Sequence, residues 1–91
     1  MSADTNAETV VRESMRNRLL ETLRALWAEV LVVDSVDDED NFFALGGDSL
    51  RAMNLAGRAN AAGIGMPMSA VLRHPVLRDL AESCAERGSP S

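Results

Sequence analysis

The sequence predicts an all-α domain: a small four-helix bundle, three main helices plus one short helix, with a long loop between the first two helices. Apolar residues recur at helical spacing in separate stretches, and no stretch shows the strict apolar and polar alternation of a half-buried strand. The chain has 91 residues, which is enough for one domain and too few for two. A domain of this size has a modest stability margin, so we expect no large internal cavity.

The first predicted helix carries the longest apolar stripe. The stripe recurs every three or four residues and consists of Leu19, Leu20, Leu23, Leu26, Trp27, Val30 and Leu31, extended backwards by Val11 and Met15. Thr5 and Glu8 have the spacing of a capping box, and Thr9 and Ser14 are further candidates for the N-cap. We place the start of the helix between Thr9 and Ser14.

Domain limits follow from this placement. We expect residues 1–10 to form a flexible N-terminal tail, residues 11–87 the domain, and residues 88–91 a short polar C-terminal tail. The start at Met1 and the short tail favour a freestanding protein, although a domain excised from a larger enzyme would look much the same.

A long acidic connection follows the first helix. Residues 34–40 hold five carboxylates, whose mutual repulsion opposes a regular helix, and the whole connection spans about 17 residues, longer than most. Phe42, Phe43 and Leu45 argue against disorder, and we expect them to pin the loop onto the helical core. The carboxylates either keep the loop solvated or steer basic partner surfaces, and both interpretations stay open here.

The second helix is predicted to begin at Ser49, with Asp48 in the N-cap position after two glycines that relax the backbone. Its predicted core face consists of Ala52, Leu55, Ala56, Ala59 and Ala62. Leu50 and Met53 fall on the flank beside Ser49.

The last two helices are marked by proline and glycine. Pro67 can open a short helix that ends at His74 and Pro75. The short helix carries two apolar residues, Val71 and Leu72. The final helix closes at Gly88, and its apolar face consists of Leu77, Leu80, Ala81, Cys84 and Ala85.

Composition excludes several classes of function. Nine arginines and no lysines face 14 acidic residues, and the formal net charge of −5 disfavours nucleic acid and anionic membrane surfaces as partners. Cys84 is the single cysteine, so neither an internal disulfide nor a multi-cysteine zinc site can form. The N-terminus lacks the features of a signal peptide. We expect a monomeric, cytoplasmic protein.

No enzyme motif is complete. Residues 46–49 have neither the spacing nor the lysine of a phosphate-binding P-loop, and residues 47–51 lack the final glycine of a nucleophile elbow. The acidic loop places Val36 and Glu39 where a calcium-binding loop needs a ligand and a turn glycine. His74, the single imidazole, fits a surface or capping residue better than a catalytic one. We therefore expect no catalytic residue and no metal site.

Ser49 remains as the residue suited to chemistry. A hydroxyl at a helix N-terminus suits a phosphate ester, because unpaired backbone N–H groups and the positive end of the helix dipole favour an anion there. The alternative is that Ser49 only helps to cap the helix.

Residues 40–50 read Asp-Asn-Phe-Phe-Ala-Leu-Gly-Gly-Asp-Ser-Leu. This run strongly resembles the signature of peptidyl carrier proteins, the thiolation domains of nonribosomal peptide synthetases within the acyl carrier protein superfamily. The signal is specific, because eleven residues match in the predicted loop-to-helix context. The likeness extends over most of the chain, from Leu26-Trp27 near the end of the first helix to Leu80-Ala81 in the last.

The resemblance implies that Ser49 is the attachment site for 4'-phosphopantetheine, donated from coenzyme A by a phosphopantetheinyl transferase. It implies that Asp48 is the motif acid that assists the metal and substrate arrangement of the transferase. The thiol of the attached arm would carry an aminoacyl or peptidyl group as a thioester. Cys84 cannot replace that thiol if it lies on the core face, as its spacing predicts.

Under this interpretation the protein is a carrier and not itself an enzyme. The implied partners are the phosphopantetheinyl transferase, an adenylation enzyme that loads the thiol, and condensation or tailoring enzymes that use it. Leu50 and Met53 become candidates for an apolar partner-contact patch, with Arg51 adding charge specificity. The alternative is that one or both apolar side chains lie beneath the long loop.

Two other functions remain open. An acyl carrier protein of fatty acid or polyketide synthesis shares the fold, although the Asn-Phe-Phe run and the paired glycines resemble peptidyl carriers more. An unmodified helical interaction module is the second alternative, and the intact Asp48-Ser49-Leu50 motif argues against it.

Overall fold

The computed structural model describes the backbone of residues 2–87 and the side chains of residues 10–86. This part of the chain holds four helices: α1 (Ser2–Leu31), α2 (Ser49–Ala61), α3 (Met68–Arg73) and α4 (Leu77–Arg87). Helix α1 packs against α4 and α2, and the short α3 contacts α2 and α4. The predicted bundle of three main helices and one short helix is therefore confirmed. None of the described helices is long and apolar enough to cross a lipid bilayer.

Helix α1 begins at Ser2, so the predicted start between Thr9 and Ser14 was wrong. Residues 2–9 contain no proline or glycine, and extending an established helix costs far less than nucleating one. The flexibility of residues 1–10 and the domain limits stay predictions, and Met1 and residues 88–91 lie outside the described residues.

The apolar stripe of α1 also begins later than predicted. Val11 is 61% exposed, and the first residue of α1 that packs against the core is Leu19. The N-terminal half of α1 meets a charged part of α4, where Arg16 forms an ion pair with Glu82 at 3.4 Å.

The core takes apolar side chains from every helix and from the long loop. Its largest fully buried side chains are Trp27, Phe42, Leu23, Leu55, Met66, Leu77, Leu80 and Val71. Trp27 packs edge-on against Phe42, with the ring centroids 5.1 Å apart. The indole N–H has no acceptor among the described residues, so Trp27 stabilises the core through apolar contact. Cys84 is buried in the same cluster, as its spacing predicted.

Two residues that were expected to reach the core, Ala62 and Phe43, are exposed, and so is Leu72 of α3. Ala62 is exposed because it is the C-cap of α2, and Ile64 fills the core after the chain has turned. Leu72 is 48% exposed because the short α3 buries only the side that carries Val71. Phe43 is 37% exposed, and its ring packs edge-on against the buried ring of Phe42.

The end of α1 has a backbone feature that is unusual for its residue type. Val32 follows the helix with a φ of 56°, in the left-handed region, and its side chain is 82% exposed. The next amide, that of Val33, donates to the carbonyl of Ala28 at 3.1 Å and closes the helix end. A β-branched residue is strained in this conformation.

The acidic loop is fastened to the helices on both sides. Asp38 forms an ion pair with Arg24 of α1, and Glu39 forms one with Arg78 of α4. The backbone N–H of Arg78 also donates to the carbonyl of Asp38 at 2.9 Å. These two carboxylates therefore face arginines of the same chain, which favours a local role over the steering of partners.

Candidate functional site

Ser49 is the first residue of α2, and Asp48 caps the helix in front of it. Asp48 has an extended backbone, its Oδ1 accepts from the backbone N–H of Arg51 at 2.8 Å, and its carbonyl accepts from that of Ala52 at 2.8 Å. Asp48 is thus the N-cap that the sequence predicted. Ser49 is exposed, and its hydroxyl makes no hydrogen bond to another described residue. The alternative in which Ser49 serves as the cap is therefore not what the structure shows.

The two glycines before Asp48 are required for different reasons. Gly46 has a φ of 101°, a conformation that side-chain-bearing residues rarely adopt. Gly47 lies against the buried ring of Phe42, and a Cβ at this position would be 2.3 Å from one ring carbon. The N–H of Gly47 also donates to the carbonyl of Phe42 at 2.9 Å. The segment before Ser49 is thus held directly on the core.

Asn41 organises the turn that leads into this segment, a role that was not expected from the sequence. Its Oδ1 accepts from the backbone N–H groups of Phe43 at 2.9 Å and Ala44 at 3.2 Å. Its backbone forms an isolated antiparallel bridge with Val76, just before α4. Asparagine commonly opens a turn by accepting from the amides two and three residues later, and this preference was the signal in the sequence that could have indicated the role.

The flank of α2 beside Ser49 presents apolar side chains to solvent. Leu50 is 75% exposed and Met53 is 57% exposed, so neither lies beneath the long loop. Arg51, by contrast, directs its guanidinium back along the chain, where it donates to the carbonyl of Gly46 at 3.1 Å. Contact of these three residues with a partner stays a prediction.

Other candidate chemistry lies away from Ser49. His74 is half-buried at the C-cap of α3, where its backbone N–H donates to the carbonyl of Ala70 at 2.8 Å. Within the described part of the chain, no cluster of His, Cys, Asp and Glu has a geometry that could hold a metal ion. A groove of about 460 Å³ is lined only by residues of α1 and α4, and none of them belongs to the segment around Ser49.

Residues 21–84 match the family model described as the phosphopantetheine attachment site. The matched segment is most of the chain and includes the whole of α2, α3 and the long loop. The chain belongs to the phosphopantetheine attachment-site family.

Relatives of this carrier domain include nonribosomal peptide synthetases. It is 44% identical over 72 residues to nonribosomal peptide synthetase nlsA of Emericella nidulans, covering 77% of this chain and 1% of that protein. It is 48% identical over 60 residues to phosphinothricin tripeptide synthetase PhsB of Streptomyces viridochromogenes, covering 65% of this chain and 5% of that protein. The chain therefore spans only a few per cent of the length of these relatives.

Solved structures give the same result. A non-ribosomal PCP domain superposes with a TM-score of 0.62 at 49% identity, covering 65% of this chain and 77% of that one. The holo form of T3CT superposes with a TM-score of 0.70 at 34% identity, covering 71% and 90% of the two chains. A peptidyl carrier protein in complex with the transferase Sfp and coenzyme A has a TM-score of 0.68 at 30% identity, covering 76% and 91%. The peptidyl carrier assignment and its cofactor, 4'-phosphopantetheine, are confirmed.

The residues around Ser49 fit this cofactor. Phosphopantetheine joins a hydroxyl through a phosphodiester, which is an anion, and the N-terminus of the 13-residue helix α2 favours negative charge. The hydroxyl of Ser49 lies at that terminus, where it is exposed and bonds to no side chain or backbone group in the described part of the chain. Ser49 is exposed as the first residue of α2, beyond the last buried turn of the helix, so the attached group would extend into solvent.

Proposed function

We propose that Ser49 is the residue that a phosphopantetheinyl transferase modifies and that the domain then acts as a peptidyl carrier. The observation that supports this most directly is the division of roles at the start of α2. Asp48 satisfies the helix cap through the N–H of Arg51. Ser49, one residue later, keeps an exposed hydroxyl that makes no hydrogen bond to another described residue. Modification at Ser49 therefore disrupts no contact that the fold needs.

The same geometry supports a role as substrate rather than enzyme. When the Ser49 oxygen bonds to the phosphorus of the phosphopantetheine group, the phosphoanhydride bond of coenzyme A breaks and its nucleotide part leaves. The Ser49 hydroxyl must also lose its proton to a base, and no described side chain of this domain hydrogen-bonds to it. The transferase or solvent must then take that proton. Asp48 is exposed beside Ser49, where its carboxylate is available to the metal arrangement of the transferase.

We also propose that Leu50 and Met53 form the apolar patch that partner enzymes contact. Both side chains are largely exposed and lie within one helical turn of Ser49. The partners would be the transferase, an adenylation enzyme, and condensation or tailoring enzymes. When bound, the cofactor supplies a thiol that holds an aminoacyl or peptidyl group as a thioester. A tethered thiol has a high effective concentration at each partner, so weak contacts through this patch suffice.

The experiment that tests the site is intact-protein mass spectrometry after incubation with coenzyme A, magnesium and a promiscuous phosphopantetheinyl transferase. We expect the wild type to gain the mass of one phosphopantetheine and Ser49→Ala to gain none. Ser69→Ala is the matched control, because Ser69 is also an exposed serine in the first turn of a helix, α3. A folded wild type that gains no mass, or a gain that persists in Ser49→Ala, would contradict the proposal.

The nature of the cargo needs a second measurement. We expect an adenylation enzyme to transfer an amino acid to the modified wild type, and mass spectrometry of the loaded protein detects it. Exclusive loading with malonyl or other acyl groups would assign the domain to fatty acid or polyketide synthesis instead.

A further inference from the structure

The side chain of Arg51 lies back across the start of α2. Its Nη1 donates to the carbonyl oxygen of Gly46 at 3.1 Å and lies 3.8 Å from Oδ2 of Asp48. The backbone N–H of the same residue donates to Oδ1 of Asp48 at 2.8 Å. Arg51 therefore contacts two residues that precede Ser49: Asp48, directly before it, and Gly46 in the loop.

Gly47 is fastened to Phe42, whereas Gly46, the residue before it, has few restraints other than Arg51. A Cβ on Gly46 would meet no atom within 4 Å, so this residue packs against nothing on that side. The N–H of Gly46 donates to the carbonyl of Phe43 at 3.2 Å. The guanidinium of Arg51 is the hydrogen-bond donor found for the Gly46 carbonyl within the described residues. Glycine has the largest backbone freedom of any residue, so loss of this bond would let the segment move.

We propose that Arg51 is a positioning residue for the modification of Ser49. Its guanidinium restrains the carbonyl of Gly46 and lies beside the carboxylate of Asp48, and the backbone that leads from Gly46 into α2 sets the direction in which the hydroxyl of Ser49 points. The inference rests on the proposed function, because it assumes that Ser49 is the residue modified. It differs from the expectation that Arg51 supplies charge specificity to partners, since the guanidinium already bonds within the chain and lies near a carboxylate.

Positioning and partner recognition have different kinetic signatures. A residue that orients a reacting group lowers the barrier of the chemical step, so its loss lowers kcat and leaves KM nearly unchanged. A residue that contacts the partner through charge contributes to binding, so its loss raises KM, and the effect weakens as salt is added. Steady-state kinetics of the transferase, with this protein as the varied substrate, separates the two.

The variants follow from the contacts. Arg51→Met keeps the length of the side chain and removes its donors, whereas Arg51→Lys keeps the charge and offers a single nitrogen without the planar fork. Arg58→Met is the matched control. Arg58 is an exposed arginine on the same helix that also bonds within the chain, to Glu29 at 2.9 Å and to Asn54 at 3.0 Å.

We expect Arg51→Met to lower kcat about fivefold, the factor that corresponds to losing one hydrogen bond of ordinary net strength at an exposed site, with KM changed by less than about twofold. The kcat measured with Arg51→Lys should lie between those of Arg51→Met and the wild type, and the kcat and KM of Arg58→Met should match those of the wild type. Unchanged kinetics in Arg51→Met, or a raised KM that Arg51→Lys restores, would overturn the inference. A wild type that is not modified at all would instead remove the proposed function on which it rests.

A second measurement does not depend on the transferase. Amide hydrogen exchange of unmodified protein reports on the N–H of Gly47, which bonds to the carbonyl of Phe42 at 2.9 Å. We expect this amide to exchange faster in Arg51→Met than in the wild type and in Arg58→Met, because the segment has lost its restraint. Equal exchange rates in all three proteins would show that Arg51 does not hold the segment.

Discussion

Replacing Gly47 with alanine places a methyl group where the structure has no room for it. The added Cβ would lie 2.3 Å and 2.4 Å from two ring carbons of Phe42 and 2.7 Å from its carbonyl oxygen. Carbon atoms in contact are normally about 3.5–4.0 Å apart, so the ring would have to move by more than about 1 Å. Phe42 is fully buried and packs against Trp27 on the core side, so the ring cannot move without disturbing its neighbours.

The expected cost is that of overpacking a core. Inserting one methyl group into a well-packed site typically costs about 1–3 kcal/mol. Gly47→Ala should reach the upper end, about 3 kcal/mol, because a backbone atom as well as a buried ring opposes the methyl group. Small domains have only about 5 kcal/mol of stability or slightly more, so this loss would be a large fraction of the total.

Urea unfolding followed by far-ultraviolet circular dichroism measures this loss. Gly57→Ala is the matched control, because Gly57 lies within α2 and a Cβ there would meet no atom within 4 Å. We expect Gly57→Ala to raise the free energy of unfolding by about 0.5–1 kcal/mol, since alanine is the better helix former. If Gly47→Ala unfolded at the same urea concentration as the wild type, the close approach to Phe42 would be refuted.

Further predictions concern the core, the end of α1, the partner patch and the acidic loop. Trp27→Ala should lower the free energy of unfolding by about 3–5 kcal/mol, because the side chain is fully buried; a loss below about 1 kcal/mol in urea unfolding would contradict this. Val32→Gly should raise the free energy of unfolding by about 1 kcal/mol, because glycine adopts the left-handed backbone of this exposed residue without strain. A melting temperature below that of the wild type would show that Val32 is not strained. Met53→Asp should slow turnover by partner enzymes while the thermal melt stays unchanged, and a large loss of stability would place Met53 in the core instead. The rate at which partner enzymes act on this protein should change little with added salt, since Asp38 and Glu39 already pair with arginines of the same chain. A steep fall of that rate with salt would instead support the hypothesis that the acidic loop steers basic partners.

The start of α2 could be predicted from sequence because the signals are local. Asp48 caps the helix through an amide three residues away, and the two glycines before it fit the turn. The start of α1 could not be predicted in this way, because no residue near Ser2 stops or caps a helix strongly enough to outweigh the candidates further along. Helix boundaries that depend on several weak signals are the least predictable.

The partners of the long arginine side chains could not be predicted from the sequence either. Arg51 and Arg58 are both exposed arginines on α2, yet one turns towards Gly46 and the other reaches Glu29 of α1. Arg24 pairs with Asp38, 14 positions away, and sequence spacing gives no sign of it. Such partners depend on how the loop crosses the helices, which only the folded chain determines.

The edge-on contact between Trp27 and Phe42 gives the domain its own optical probe. Trp27 is the single tryptophan, it is shielded from water, and it touches the ring on which Gly47 rests. Indole emission depends on the polarity and motion of the groups around the ring. Any rearrangement of the segment before Ser49, whether on modification or on binding of an enzyme, should therefore change the emission of an unlabelled protein, and stopped-flow fluorescence could follow it in real time.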